Sequence, residues 1–160
     1  MSDAARLVGA LRERGWTLGV AESLTGGAVA SEIVSVPGAS AVLLGGVVAY
    51  ATPLKHSLLG VDAVLLADHG PVHPDVAVQM AEGVRRTVAV DGRAADVGIA
   101  TTGIAGPDSP DGQPVGTVHI GVVTPRGRRS IPHLFTGTRA EVRQQAVAAA
   151  VAAALRAVGE

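Results

Sequence analysis

The chain has no cysteine, and that absence removes disulfide bonds, thiolate nucleophiles and cysteine-ligated zinc together. Aromatic side chains are almost missing as well: Trp16, Tyr50 and Phe135 are the only three in 160 residues. Three rings cannot build a base-stacking platform, and a core without rings must be assembled from small aliphatic side chains in close contact. No apolar run reaches the ~18–20 residues that a membrane-spanning helix needs. The nearest, Ala39 to Ala51 and Ala146 to Leu155, fall short. An excess of charge is lacking too, since 13 basic and 14 acidic residues leave a formal net charge of −1. The arginines are scattered, whereas binding nucleic acid by counterion release requires a basic face. Neither nucleic acid nor a membrane is therefore expected as a partner. Asp3, Arg6, Arg12, Glu13 and Arg14 break up the start of the chain, unlike the uninterrupted apolar region of a secretory signal. A single domain over residues 1–160, working in the cytoplasm, is the expectation.

One scarcity points toward chemistry. Lys55 is the only lysine among the 13 basic residues. In an Ala-, Val-, Gly- and Arg-rich chain that uses Arg wherever a positive charge suffices, a lone Lys marks a place where a guanidinium will not do. An amine can lose its proton and act as a base; a guanidinium cannot. The competing reading is an ordinary surface lysine.

Periodicity and punctuation give the elements. Ala4 to Arg14 reads as an amphipathic helix closed by Gly15, and Thr17 to Ala21 as a short strand. Thr25 to Val36 reads as a helix opened by Gly26-Gly27 and stopped by Pro37-Gly38. Leu43 to Tyr50 is apolar enough for a strand buried on both faces. Pro53 to Leu59 and Asp62 to Asp68 are short helices. Pro74 opens a longer one with Val76, Ala77, Met80, Ala81, Val84 and Val88 as its buried stripe. Asp96 to Thr101 is a third strand, and Val115 to Val123 with Arg128 to Phe135 forms a hairpin across Thr124-Pro125-Arg126-Gly127. Thr138-Arg139-Ala140-Glu141 is a capping box that opens an Ala-rich last helix. Helical crossovers between the first three strands make them parallel. The fold class is α/β with a mixed, mostly parallel sheet and a closing antiparallel hairpin.

Open parallel sheets bind ligands beyond the carboxyl ends of their strands, and three polar motifs fall there. Glu22 to Gly27 follows the first strand. Its glycines allow backbone N–H groups to approach a ligand, and the turn can present Ser23 as a nucleophile; alternatively Ser23 and Thr25 cap the helix. Tyr50 to Lys55 follows the second. A lysine base needs its pKa lowered to roughly 7–8, a cost of about 3–5 kcal/mol met only in a desolvated pocket, and Leu54, Leu58 and Leu59 are apolar neighbours compatible with that. Tyr50 either stacks on a flat ring or is a rim aromatic. Thr101 to Pro107, the third motif, is a small-residue loop suited to close backbone approach. Arg139 and Arg143, four apart on the last helix, either clamp a phosphate or form a solvated face. Asp108 to Gly112 reads as a solvated turn. His69 and His73 are spaced four apart but surrounded by Gly70, Pro71 and Pro74, so no metal site is assigned, and His73 is expected near a helix cap. No phosphate-binding P-loop, dinucleotide fingerprint or Gly-x-Ser-x-Gly elbow occurs.

Five motifs in order carry a family likeness: Ala-Glu-Ser-x-Thr-Gly-Gly (21–27), Val-Pro-Gly-Ala-Ser (36–40), Tyr-Ala-Thr-x-x-Lys-x-x-Leu-Leu-Gly-Val (50–61), Thr-Gly-Ile-Ala-Gly-Pro (102–107) and Pro-Val-Gly-Thr-Val (114–118). The chain resembles the CinA carboxy-terminal domain family, the nicotinamide-nucleotide amidohydrolases, in their stand-alone form. That resemblance implies a three-layer α/β/α fold, a homodimer or higher homo-oligomer, and hydrolysis of nicotinamide mononucleotide to nicotinate mononucleotide and ammonia with no cofactor or metal. Ser23 matches the family's nucleophile and Lys55 its base. Substrate contacts are expected from Thr25, Gly26, Gly27, Tyr50, Thr102, Gly103, Ala105, Gly106 and Arg143. Leu24 stands where the family often has Cys, Ala51-Thr52 where it often has Ser-Asn, and His73 where it often has Ser. Two rival functions are a silent interaction module linked to DNA uptake or damage, and a Ser–Lys hydrolase of another amide.

Overall fold

Local signals set the first turn of the chain. Helix α1 (Asp3–Arg14) begins where the Ser2 hydroxyl accepts the Ala5 N–H, and it ends at Gly15 in a left-handed conformation. The computed structural model describes residues 1–159. Strand β1 (Leu18–Glu22) follows, buried along its whole length. Then come α2 (Ala28–Val34), a 3-10 turn at Ala39–Ala41, β2 (Leu43–Val48), α3 (Thr52–Leu59), α4 (Ala63–His69) and α5 (Pro74–Thr87). The chain closes with β3 (Val97–Gly103), β4 (Thr117–Thr124), β5 (Gly127–Leu134) and the long α6 (Arg139–Gly159). The capping box is formed, with Glu141 N–H donating to Thr138 Oγ1 and Thr138 N–H to Glu141 Oε1.

The five strands lie in the order β2-β1-β3-β4-β5. β1 is parallel to both β2 and β3, and the β3–β4 and β4–β5 ladders are antiparallel, so β4 alone runs against the rest. The connection from β1 to β2 and the return from β2 to β3 cross the sheet in opposite directions. A common crossover hand then requires opposite faces. They do use opposite faces: α2 joins α1 and α6 in one apolar layer with Leu18, Val20 and Ile99, while α5 packs with Leu59 and Leu66 against Ala21 and Ala100. The three-layer expectation holds.

Two element readings need correction. β2 is a partly exposed edge strand and is not buried on both faces; its apolar composition does not distinguish an edge strand from an interior one. The helix read from Thr25 starts only at Ala28, because Gly26 (φ +59°) and Gly27 (φ +102°) hold a turn that no helix can contain.

Aromatic scarcity has its counterpart in the packing of α5. A Cβ on Gly98 would overlap the Ala81 carbonyl, one on Gly121 the Ala77 carbonyl, and one on Gly19 would stand 2.8 Å from Val88 Cγ2. Three adjacent strands thus offer bare backbone to one helix, which lies directly on the sheet. α5 also receives α3: Gly83 abuts the Leu59 carbonyl, and Thr87 Oγ1 donates to the Leu58 carbonyl at 2.7 Å. Gly98→Ala and Gly121→Ala should each cost about 3 kcal/mol or more in urea unfolding, since the overlapped atom is backbone and cannot swing away. Gly9→Ala, in the interior of α1 with nothing within 4 Å of the new methyl, should instead gain about 0.5–1 kcal/mol.

Candidate active site

β1 delivers Ser23 one residue past its end, and the turn after it is held from within. Glu22 is buried, and its carboxylate accepts the Val29 N–H at 2.8 Å and the Ala30 N–H at 3.0 Å. The first amides of α2 are therefore satisfied by the chain's own anion. Gly26 N–H donates to the Ser23 carbonyl. Behind Ser23, its own N–H donates to Thr101 Oγ1, which shares a 2.8 Å hydrogen bond with Thr25 Oγ1. Neither Ser23 nor Thr25 caps α2, so their side chains are committed elsewhere.

Lys55 arrives from α3, and its side chain is 1 % exposed. Its Nζ lies 3.0 Å from Ser23 Oγ, 2.7 Å from the Ala49 carbonyl and 3.4 Å from the Tyr50 carbonyl. No carboxylate pairs with it among the described residues. Burial strips water from the amine and lowers its pKa from the ordinary 10.5 to about 8. As an ammonium, Nζ donates to Ser23 Oγ and to both carbonyls; once neutral it keeps two N–H donors for the carbonyls and turns its one lone pair to the Ser23 hydroxyl. Of the leucines expected to shield Lys55, Leu59 is buried, whereas Leu54 and Leu58 are exposed. They occupy the exposed side of α3, and Lys55 and Leu59 its buried side.

A cavity of about 430 Å³ opens above the pair, within the ~300–1,000 Å³ typical of small-molecule sites. Tyr50, Thr102, Gly103, Ala105 and Gly106 line it with Ser23 and Lys55, so all three polar motifs do converge at the carboxyl ends of β1, β2 and β3. Thr102 Oγ1 donates to the Pro71 carbonyl at 2.6 Å. Thr25, Gly26, Gly27 and Arg143 are not on this lining. Arg143 donates to the Leu24 and Thr25 carbonyls and braces the turn that carries Ser23. The arginine on the cavity wall is Arg139, with Nη1 donating to the Gly106 carbonyl at 2.8 Å and Nη2 to Tyr50 Oη at 3.3 Å. The pair therefore does not clamp one ligand together: one turn of helix separates a wall residue from a brace.

Sequence reasoning missed Glu22 and Thr101 as supports of Ser23, and the cavity contacts of Asp108, Pro110 and Asp111, which were read as a solvated turn. Glu22 had a signal in its place, a carboxylate ahead of a glycine turn and a helix start. His73 does cap α5, its Nδ1 accepting the Asp75 N–H. Among the described residues no three His, Asp or Glu side chains gather as a metal cradle, and no helix is long and apolar enough to cross a membrane.

The profile of the CinA C-terminal domain matches residues 2–158. The chain belongs to the CinA C-terminal domain family. Relatives include a CinA-like protein of Frankia casuarinae, 46 % identical over 145 residues that make up 91 % of this chain and 32 % of the relative. A CinA-like protein of Anaeromyxobacter sp. strain K is 50 % identical over 142 residues, 88 % of this chain and 33 % of that one. The chain thus spans about a third of the length of the curated relatives it matches. Among solved structures, a competence-damaged protein (CinA) superfamily protein of Klebsiella pneumoniae superposes with a TM-score of 0.90 at 33 % identity, covering 98 % of this chain and 96 % of that one. A competence/damage-inducible protein of Agrobacterium tumefaciens gives 0.87 at 31 % identity, covering 99 % and 94 %. This CinA domain has one lysine, so lysine-selective isotope labelling yields one side-chain amine resonance. That resonance should titrate near pH 8 in the folded protein and near 10.5 in urea.

Proposed function

We propose that this CinA domain hydrolyses the carboxamide of nicotinamide mononucleotide to nicotinate mononucleotide and ammonia. The observation that carries the reading is the 3.0 Å contact between the buried, carboxylate-free Lys55 amine and Ser23 Oγ. At pH 7 an ordinary lysine is only ~0.04 % neutral, whereas one of pKa about 8 is ~9 % neutral, roughly a two-hundredfold gain in base. Ser23 Oγ attacks the carboxamide carbon while Lys55 Nζ takes the hydroxyl proton. The resulting ammonium returns that proton to the departing nitrogen, and ammonia leaves as the carbon–nitrogen bond breaks. Water then attacks the Ser23 ester, Lys55 receives its proton, and the proton passes to Ser23 Oγ as the carboxylate product separates.

The cavity suits the remainder of such a substrate. Amides of Ala105 and Gly106 have no hydrogen-bond acceptor among the described residues and are available to the developing oxyanion or to the ligand. Arg139 makes no ion pair among the described residues and has donors left over for a phosphate. The Tyr50 ring, largely exposed on the cavity wall, offers a face to a flat pyridine ring.

Ammonia release from nicotinamide mononucleotide by the purified chain tests the reading. Wild type should release ammonia; Ser23→Ala and Lys55→Arg should each lose about 10³-fold or more in kcat, Lys55→Arg because a guanidinium cannot accept the proton. Near-normal turnover in both variants would rule out the Ser–Lys mechanism. Activity on other amides but none on this one would keep the mechanism and change the substrate. Arg139→Gln should raise KM about tenfold or more with little change in kcat, and that loss should vanish with the dephosphorylated nucleoside.

A further inference from the structure

The fold gathers arginines that the sequence keeps apart. Trp16, the only tryptophan, precedes β1, with Arg14 Cζ 5.2 Å and Arg126 Cζ 5.4 Å from its ring centroid. Both contacts lie in the range of cation–π attraction. Arg126 belongs to the β4–β5 turn. With Arg128 and Arg129 it lines a cavity of about 290 Å³ whose other walls include Thr124 of β4 and Ala157 of α6. This is the far end of the sheet from Ser23. Gly103, on the wall of the Ser23 cavity, pairs with Val118, and from there β4 runs about 20 Å to Thr124. The proposed hydrolysis uses none of these groups.

The charge at this end is not neutralised. Arg6, Arg85 and Arg86 each pair with a carboxylate, whereas Arg14, Arg126 and Arg128 make no ion pair among the described residues. Like charges held together without a counter-ion repel one another, and a bound anion removes that cost. A buried donor is left over as well. Thr124 is 8 % exposed, its Oγ1 accepts the Arg126 N–H at 3.1 Å, and its own hydroxyl proton has no acceptor among the described residues. The last turn of α6 brings about half a negative charge to the cavity, which Arg126 and Arg128 alone exceed.

We infer that this cavity binds the phosphate group of a small phosphorylated metabolite, at a second site separate from the one that holds Ser23 and Lys55. Guanidinium forks match phosphate oxygens in bidentate pairs, and the Thr124 hydroxyl adds a neutral donor. A cavity of about 290 Å³ holds a phosphate or diphosphate group, not a strand of nucleic acid. Arg126 also lies over Trp16, so a ligand that draws its guanidinium away changes the surroundings of the chain's only indole.

Calorimetric titration with inorganic pyrophosphate at constant ionic strength tests the site, and Trp16 emission locates it. The titration is run on wild type and on Arg139→Gln, which removes the guanidinium proposed for the substrate's phosphate and so keeps the two cavities distinct. Both proteins should bind pyrophosphate with a saturable change in Trp16 emission. Arg126→Gln and Arg128→Gln, at exposed positions, should each weaken binding about tenfold or more with an unchanged circular dichroism spectrum. Ribose 5-phosphate binding at least as tightly as orthophosphate assigns the site to an esterified phosphate, and the reverse order assigns it to the free ion. No saturable response at millimolar pyrophosphate, a response matched by potassium chloride at equal ionic strength, a response lost in Arg139→Gln, or binding unchanged in both Arg126→Gln and Arg128→Gln would each overturn the proposal.

Discussion

An amine held out of water is the constraint around which this molecule is arranged. Lys55 is buried against two backbone carbonyls and a serine, with no carboxylate to offset its charge. The shift from 10.5 to about 8 corresponds to about 3 kcal/mol of preference for the neutral form. The sign follows from the direction. The folded state binds this proton less tightly than the unfolded chain, so the penalty is fully present below pH 8 and is relieved as pH rises toward 10.5. Lys55 therefore weakens the fold in the neutral range, and the rest of the structure must hold it in place.

That support is made of backbone rather than large side chains. α5 rests on Gly98 and Gly121, and the carbonyls at the end of α3 are fixed by Gly83 and Thr87 of α5. The sheet thus positions α5, α5 positions α3, and α3 carries Lys55. On the opposite side, Glu22 holds the start of α2 and Arg143 holds the carbonyls of Leu24 and Thr25, so Ser23 is fixed by two groups that do not line the cavity. Two charged side chains support Ser23 from behind, while Lys55 touches only backbone carbonyls and the serine hydroxyl.

Much of this was legible in the sequence because the relevant signals are local. The lone Lys55, the Glu-Ser-x-Thr-Gly-Gly turn and the position of three motifs after three strands led to one convergent site, and the capping box at Thr138 fixed the start of α6. What the sequence concealed depends on tertiary placement. Arg139 and Arg143 are equivalent on a helical wheel, yet one faces the cavity and the other the Ser23 turn, a difference set by how α6 lies against α2 and β3. Gly26 and Gly27 looked like anion-binding amides, but a carboxylate one residue ahead of Ser23 already occupies that helix start. β2 read as fully buried because an apolar, charge-free edge has the composition of an interior strand.

The most direct test of the central claim, that neutral Lys55 is the base for Ser23, is the pH dependence of kcat/KM in the proposed amide hydrolysis. That quantity reports the free enzyme's ionisation. It should fall tenfold per pH unit below a midpoint near 8, level off above it, and coincide with the titration of the Lys55 amine resonance measured on the same sample. A rate profile flat across that range, or a kinetic midpoint displaced from the amine's own titration, would contradict the account.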